Sequence, residues 1–179
     1  MAKMLAPLSR QIGGMVTRGV VALVNSARKM QSLQLTLLAD EPKDNIEHFE
    51  PYGFTANPKA GAESLALFLG GDRSHGVVIA CADRRYRLKG LDSGEVAIYD
   101  DQGQSVILKR GKICEINTDQ LVINAATRVQ INSPEVKASG NVIAVGDVAD
   151  QGGAKTMAGM RAKFNPHSHG GGAAPNQVM

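Results

Sequence analysis

Aromatic side chains are scarce in this sequence. It contains no Trp, and 4% of its 179 residues are aromatic, whereas 20 residues are Gly. One buried aromatic side chain removes about 150–250 Å² of surface from water, so a compact globule of this length normally uses more of them. The composition therefore argues against a single large hydrophobic core and favours a narrow architecture that is filled by small side chains.

The few aromatic residues are also unevenly placed. All of them lie in the first hundred residues except Phe164. Large side chains are the usual filling of a globular core, whereas a chain segment without them must be filled by aliphatic residues. This split predicts two different architectures in the two halves of the chain.

Long apolar runs and paired cysteines are missing as well. No apolar run approaches the roughly 18–20 residues that a membrane-spanning helix needs. Cys81 and Cys114 lie in apolar segments and show no metal-ligand spacing. We expect both to be reduced thiols in a core, which fits folding in a reducing cytoplasm.

Acidic residues are absent from both ends, because no Asp or Glu precedes Asp40 or follows Asp150. Residues 1–27 combine basic side chains with apolar ones at loosely helical spacing. We expect this segment to be a basic N-terminal arm, either an amphipathic docking helix or disordered chain. An organellar transit peptide has a similar composition, and basic ends can also contact phosphate groups.

From about residue 30 the pattern alternates with period two, which is typical of a half-buried strand. Further short strand candidates follow, separated by glycine-rich turns. Together they give about five strands, the number in an OB-type barrel, and we place this barrel at residues 28–93. The predicted strands are the one carrying Leu33, Leu35 and Leu37, and those at residues 63–69, 76–82, 86–88 and 95–99.

Between residues 94 and 150 the chain carries short apolar pairs at i and i+2, separated by turn-forming residues. Each repeat is too short to bury its own pair, so burial must come from stacking on neighbours. Small β-branched side chains suit a slender core that several chains share. We therefore predict an all-β homotrimer whose residues 94–150 form an intertwined triple-stranded β-helix, followed by an apex and flexible tail at residues 151–179.

One constellation has the character of a binding site, namely His167-Ser168-His169. Two imidazoles at i and i+2 in an extended segment project to the same side. Two ligands do not close a metal site, and a solvated tail with two exposed histidines is the alternative. Three-fold symmetry would turn two ligands per chain into six.

No catalytic arrangement is evident. His75 follows Ser74 in a turn, with no acid placed to orient it, and we expect both His75 and His48 to be surface turn residues. The sequence contains no phosphate-cradling loop and no dinucleotide fingerprint. The prediction is that this protein is not an enzyme.

Three segments resemble the Mu-like family of phage baseplate assembly and spike proteins, and the resemblance covers about residues 28–110. It implies a trimer with an OB-type domain seated in the baseplate hub, a triple-stranded β-helix shaft, and an apex where His-x-His from each chain binds iron. Carried over to this sequence, His167 and His169 are the metal ligands, with one iron ion per trimer. The segments are residues 52–55, 70–74 and 94–103.

The resemblance also implies a function. Such a protein is the central spike at the tip of a contractile tail; it is assembled in the host cytoplasm, carried in the virion, and driven through the host outer membrane when the sheath contracts. No nucleic acid is expected as a partner. Two alternatives remain: a small OB-fold nucleic-acid-binding protein, for which Arg84-Arg85-Tyr86-Arg87 is the qualifying segment, and a cell-wall hydrolase, for which no acid pair is evident.

Overall fold

The computed structural model of the chain describes residues 15–37, 40–72, 74–167 and 170. The chain divides into two units, Met1–Ile123 and Asn124–Met179. The first unit contains a β-barrel and a separate three-stranded sheet, and the second contains a short hairpin and a helix. Among the described residues, no helix has the length and apolar character to cross a membrane.

The barrel is closed and has five strands in the order β1-β2-β3-β5-β4. Neighbouring strands are antiparallel except β3 and β5, which pair in parallel through Glu47 with Val77 and His48 with Val78. This confirms the expectation of an all-β N-terminal barrel. The strands are β1 Val16–Asn25, β2 Ser32–Leu37, β3 Pro42–His48, β4 Glu63–Phe68 and β5 Gly76–Ala82.

The barrel interior is filled by aliphatic side chains around one aromatic ring, that of Phe68. Gly76 makes room for this ring, because a Cβ atom at position 76 would lie 2.6 Å from Cε1 of Phe68. Burial of each large aliphatic side chain contributes on the order of 1.5–3 kcal/mol. The core consists of Val21, Leu33, Leu35, Leu37, Ile46, Ala62, Ala66, Phe68 and Val78.

Strand β1 corrects the expected boundary of the barrel. Residues 16–25 belong to the barrel, whereas we expected residues 1–27 to be a helical or disordered arm and the barrel to begin at residue 28. The inward positions of this strand are Thr17, Gly19 and Val21, which are small or weakly apolar. Their alternation is therefore faint in the sequence, and the mixture resembled a helical pattern. Residues 1–14 lie outside the described part of the chain.

Strand β3 is the second correction. Its sequence, Pro42-Lys43-Asp44-Asn45-Ile46-Glu47-His48, is mostly polar and has two buried side chains, Ile46 and His48. It completes the barrel in place of the predicted strands at residues 86–88 and 95–99. Residues 86–88 form no strand, and residues 96–99 belong to the separate sheet.

The separate sheet is an antiparallel meander of β6 Val96–Tyr99, β7 Ser105–Lys109 and β8 Ile113–Asn117. The turn between β6 and β7 is fixed by Asp100, whose Oδ1 accepts hydrogen bonds from the backbone N–H groups of Gln102 and Gln104, both at 2.9 Å. Residues 94–117, expected as the beginning of the shaft, therefore contain a sheet whose three strands come from one chain.

Regular structure is sparse in the rest of the chain. Residues 118–148 contain neither helix nor strand. Strand β9 Ala149–Asp150 pairs with β10 Lys155–Thr156, and helix α1 Met157–Phe164 follows. The hydroxyl of Thr156 caps α1 by accepting a hydrogen bond from the N–H of Gly159 at 2.9 Å. The expectation of an all-β chain thus omitted one short helix.

His48 lies in the barrel rather than in a surface turn, and it is 7% exposed. Its Nδ1 is 3.1 Å from Oε1 of Gln31, and its backbone N–H donates to the carbonyl of Gln31 at 2.8 Å. Burial lowers the pKa of His48 from its usual value of 6.5, and the carboxylate of Glu50 opposes this shift. The folded barrel therefore favours the neutral imidazole.

We predict that acid destabilises the barrel partly through His48. The pKa is lower in the folded state, so the unfolded chain takes up the proton first, and the free energy of unfolding falls as the pH drops below the unfolded pKa. Replacing His48 with Gln should make urea-unfolding stability less dependent on pH between about pH 7 and pH 5. Equal pH slopes in the parent and the His48→Gln variant would contradict the prediction.

Candidate functional site

The sheet β6–β8 has one face composed of apolar side chains. The strand register aligns Val96, Leu108 and Cys114 in one row, and Ile98, Val106 and Ile116 in the next row. All six side chains therefore share a face, because residues at i and i+2 on a strand point to the same side. All six are exposed in the single chain. We call these six residues the apolar sheet face.

The opposite face of the same sheet is more polar, and its polar side chains form hydrogen bonds and an ion pair with one another. Ser105 and Ile107 are buried there. Lys109 forms an ion pair with Glu115 at 2.9 Å, and the side-chain amide of Asn117 donates to the hydroxyl of Ser105 at 3.2 Å. The polarity of the sheet is thus inverted relative to an ordinary water-soluble sheet, which exposes its polar face and covers its apolar one.

Cys114 lies on the apolar sheet face and is exposed in the single chain, so it is not part of a core formed within one chain, as we expected of both thiols. Cys81 is half-buried and packs against the barrel core. Burial raises the pKa of the Cys81 thiol to about 11, with a further contribution from the nearby carboxylate of Glu50. The two thiols therefore differ strongly in access to solvent.

The segment after the sheet is exposed along its whole length. Every residue from 116 to 155 is exposed in the single chain. Soluble monomers rarely expose so many large apolar side chains, so this segment and the apolar sheet face are candidate contact surfaces for another protein chain. The large aliphatic residues of this stretch are Ile116, Leu121, Val122, Ile123, Val129, Ile131, Val136, Val142, Ile143, Val145 and Val148.

The turn before the β9–β10 hairpin is tied to the start of α1. The carboxylate of Asp147 accepts hydrogen bonds from the backbone N–H groups of Val148 at 2.9 Å and Ala158 at 3.0 Å. A hydrogen bond from Thr156 is the main reason that the pKa of Asp147 is lowered, and the bond from Ala158 adds to it. This carboxylate satisfies a backbone donor at the N-terminus of the helix, where negative charge is favourable.

His167 follows α1 and is packed against it. Its ring centroid lies 4.7 Å from that of Phe164, and its Nδ1 is hydrogen-bonded to the carbonyl oxygen of Phe164. A carbonyl can only accept, so Nδ1 carries the proton and the lone pair of the neutral ring is on Nε2. A histidine held in this way has the tautomer and the fixed orientation that metal ligands commonly show.

His169 lies outside the described residues, as does Ser168. Within the described ranges, no group of three or more His, Cys, Asp or Glu side chains could hold a metal ion. A metal site at His167 therefore needs His169 and other chains to supply ligands. Imidazole nitrogen donors suit a transition metal rather than calcium or magnesium.

Ser74 and His75 form a local cluster with Asp72, an acid that the sequence interpretation did not place beside His75. The Oδ1 atom of Asp72 accepts from the hydroxyl of Ser74 at 2.7 Å, and its Oδ2 atom is 2.9 Å from Nδ1 of His75. Bonds from Ser74 are the main reason that the pKa of Asp72 lies well below its usual range. The serine donates to the acid rather than to the histidine, which is not the order of a nucleophile–base–acid triad.

Comparison with known proteins identifies relatives of this chain. The family model "Bacteriophage Mu Gp45, N-terminal" matches residues 18–85, which begin within β1 and end just after β5. The chain is 34% identical over 140 residues to "Baseplate puncturing device gp45" of Escherichia phage Mu, covering 78% of this chain and 71% of that protein.

A second relative comes from a bacterial genome. The chain is 35% identical over 151 residues to "Mu-like prophage FluMu protein gp45" of Haemophilus influenzae, covering 80% of this chain and 82% of that protein. The barrel strands lie between Val16 and Ala82. Alignments of 140 and 151 residues are too long to fit within this range, so both extend beyond the barrel. The chain therefore belongs to the bacteriophage Mu Gp45 family.

Proposed function

We propose that this protein is the homotrimeric central spike of a contractile-tail baseplate, carried in the virion and driven through the host outer membrane. The observation that carries the proposal is the apolar sheet face together with the exposed apolar segment that follows it. A protein that acted as a monomer would leave these surfaces in water. The similarity to the baseplate puncturing device of phage Mu supports the same role.

Association has a clear energetic basis. Each fully buried aliphatic side chain contributes on the order of 1.5–3 kcal/mol, and five such residues, together with Cys114, make up the apolar sheet face. Ordering residues 118–148 costs about 1–2 kcal/mol per residue, which their own exposed side chains cannot offset in a single chain. We propose that three copies wind these segments into a triple-stranded β-helix; the number three rests on the family resemblance.

The proposed roles of the two ends follow from this arrangement. The barrel is the end that joins the baseplate hub, and the second unit is the tip that meets the host membrane. The action is mechanical rather than catalytic, because a stiff shaft transmits the force of sheath contraction. The chain is assembled in the host cytoplasm, where Cys81 and Cys114 would stay reduced.

Nucleic-acid binding is less well supported by the barrel surface. In the segment Arg84-Arg85-Tyr86-Arg87, Arg84 pairs with Glu63 at 2.6 Å and Arg85 pairs with Asp83 at 2.6 Å. These carboxylates neutralise two of the three cations that would contact phosphates, and phosphate contacts dominate affinity for nucleic acids.

At the tip, we propose that His167 and His169 of three chains hold one iron ion. Six neutral imidazoles favour an octahedral ion over zinc, whose structural sites are almost always four-coordinate. Donor chemistry alone leaves iron, nickel or cobalt, and the choice of iron rests on the family resemblance. The role of the bound ion would be to join three chain ends, and the hydrogen bond between His167 and Phe164 would hold the donor nitrogen in place.

We predict that Leu108→Asp prevents trimer formation. Leu108 is 54% exposed in the single chain, so the substitution should leave the barrel folded, but in the assembly it would bury an unpaired carboxylate in every chain. Light scattering should give a trimer for the parent and a smaller species for Leu108→Asp. Ile113→Asp is the matched control, since Ile113 is 56% exposed on the opposite face, and it should remain trimeric. A parent of monomer mass, or a trimeric Leu108→Asp variant, would refute the proposed interface.

The thiol of Cys114 gives an independent test. In the assembled protein Cys114 should be covered, and Cys81 should react slowly because its pKa is about 11. We expect no rapidly reacting thiol in the native parent with an aromatic disulfide reagent, one per chain in Leu108→Asp, and two per chain after denaturation. A Cys114→Ser, Leu108→Asp double variant identifies the fast thiol. Rapid labelling of Cys114 in the native parent would contradict burial of this face.

The metal proposal predicts one iron ion for three chains by elemental analysis. The His167→Ala, His169→Ala variant should lose it and should still form trimers, because the apolar surfaces before the tip are unchanged. Acid should release the ion as the imidazoles become protonated. His75→Ala is the control, since this exposed histidine lies in the first unit. Absence of a stoichiometric transition metal in the parent, or equal metal in parent and double variant, would rule the site out.

A further inference from the structure

The loop between β3 and β4 carries the densest group of aromatic residues in the chain. Phe49, Tyr52 and Phe54 lie within six residues, and all three are exposed. Tyr52 is fully exposed and Phe54 is 64% exposed. Large aromatic side chains in water are the residues most often found at the centre of protein–protein contacts. We call residues 49–56 the aromatic loop.

This loop is held in place at its far end, where both backbone groups of Ala56 are bound by side chains. The carboxylate of Glu50 accepts from the N–H of Ala56 at 2.6 Å and from the hydroxyl of Thr55 at 3.0 Å. The amide of Gln31 donates to the carbonyl of Ala56 at 3.0 Å. A loop that is ordered before binding loses less conformational entropy when a partner docks.

The conformation also depends on a turn at the tip of the loop. The N–H of Phe54 donates to the carbonyl of Pro51 at 3.0 Å, and Gly53 between them has a φ of +86°, in the left-handed region that favours glycine. This turn separates Tyr52 from Phe54 and leaves both rings in solvent. Exposure of the rings is therefore a property of an ordered turn.

Two cations lie beside the aromatic loop. Arg28 and Lys29, in the turn between β1 and β2, line a groove of about 270 Å³ together with Glu50, Thr55 and Ala56. Arg28 binds the neutral side chain of Asn45. Among the described residues, no carboxylate forms an ion pair with either cation. Glu50, the acid in the groove, is already engaged by the loop backbone.

We propose that this end of the barrel, formed by the aromatic loop with Arg28 and Lys29, docks the chain onto another protein of the baseplate. Its partner surface has an apolar pocket for Tyr52 and Phe54, bordered by carboxylates that face the two cations. The inference rests on the proposed baseplate function, and it names the residues that make the attachment. Charge complementarity fixes the orientation, and the aromatic rings supply most of the affinity.

A protein partner fits this surface better than single-stranded nucleic acid does. Nucleic-acid-binding barrels stack bases on aromatic side chains of their strands, whereas the outward positions Gln34 and Thr36 of β2 and Glu47 of β3 are not aromatic.

The test uses tails that were assembled without this chain, to which the purified full-length protein is added before sedimentation. The parent should co-sediment with the tails. Tyr52→Ser, Phe54→Ser should lower the apparent affinity about 100-fold or more, because two anchoring rings are lost. Glu50→Gln keeps both rings but weakens the hydrogen bonds that hold the aromatic loop, and it should lower the apparent affinity about tenfold. Arg28→Ala, Lys29→Ala should bind more weakly and with a smaller dependence on salt.

The matched control is Leu69→Ser, Tyr86→Ser, which removes one exposed aliphatic and one exposed aromatic side chain outside the aromatic loop and should bind like the parent. Retention of Tyr52→Ser, Phe54→Ser at parent affinity would overturn this inference alone, whereas failure of the parent to bind tails would overturn it together with the baseplate function. A change in molar mass of the Tyr52→Ser, Phe54→Ser variant would assign the aromatic loop to contacts between copies of this chain. If the parent binds a labelled oligothymidylate and the two substitutions abolish that binding, the aromatic loop would be assigned to nucleic-acid binding. Either result would refute the proposal.

Discussion

The structure depends on an inversion of polarity in the sheet β6–β8. Its hydrogen-bonded, ion-paired side is partly covered, while Val96, Leu108 and their four neighbours on the apolar sheet face meet solvent. The barrel core does not need a second chain to cover it, because its aliphatic side chains close around Phe68 within one chain. From β6 onward the described residues have little interior of their own, so in the proposed assembly folding and association would be one process. The proposed assembly, shaft and tip all follow from this constraint.

The contrast between the two halves was visible in the sequence, because it lies in the choice of side chains. Aromatic residues concentrate in the barrel half, and aliphatic i, i+2 pairs continue alone afterwards. The alternation of Leu33, Leu35 and Leu37 predicted β2, and the glycine turns correctly bounded β4 and β5. Each of these strands has a strongly apolar inward face, which is the signal that sequence patterns carry best.

The errors in the sequence prediction occurred where the inward face of a strand is only weakly apolar, or where a side chain is buried by residues distant in the sequence. Strand β1 places Thr17 and Gly19 inside, and β3 has two buried residues among seven, so neither shows the alternation of an ordinary strand. His48 appeared to be a surface residue because its partner, Gln31, lies 17 positions away and on another strand. No spacing rule in a single sequence reports such a contact, since tertiary packing decides it. Asp72 was a different error, because it precedes Ser74 and His75 by two and three positions, which is the spacing of a local Asx turn.

The order β6-β7-β8 leaves the outer edges of both end strands unpaired within the described part of the chain. An open edge can accept another strand, and a sheet with two open edges can in principle add copies without limit, as fibrils do. In the proposed trimer, rotational closure would prevent this, because each copy would use one edge to receive a neighbour and the other to contact the next copy until the ring is complete. In a closed ring, the angle between successive copies fixes the number of chains. Raising the protein concentration would then increase the number of closed rings without adding chains to any of them.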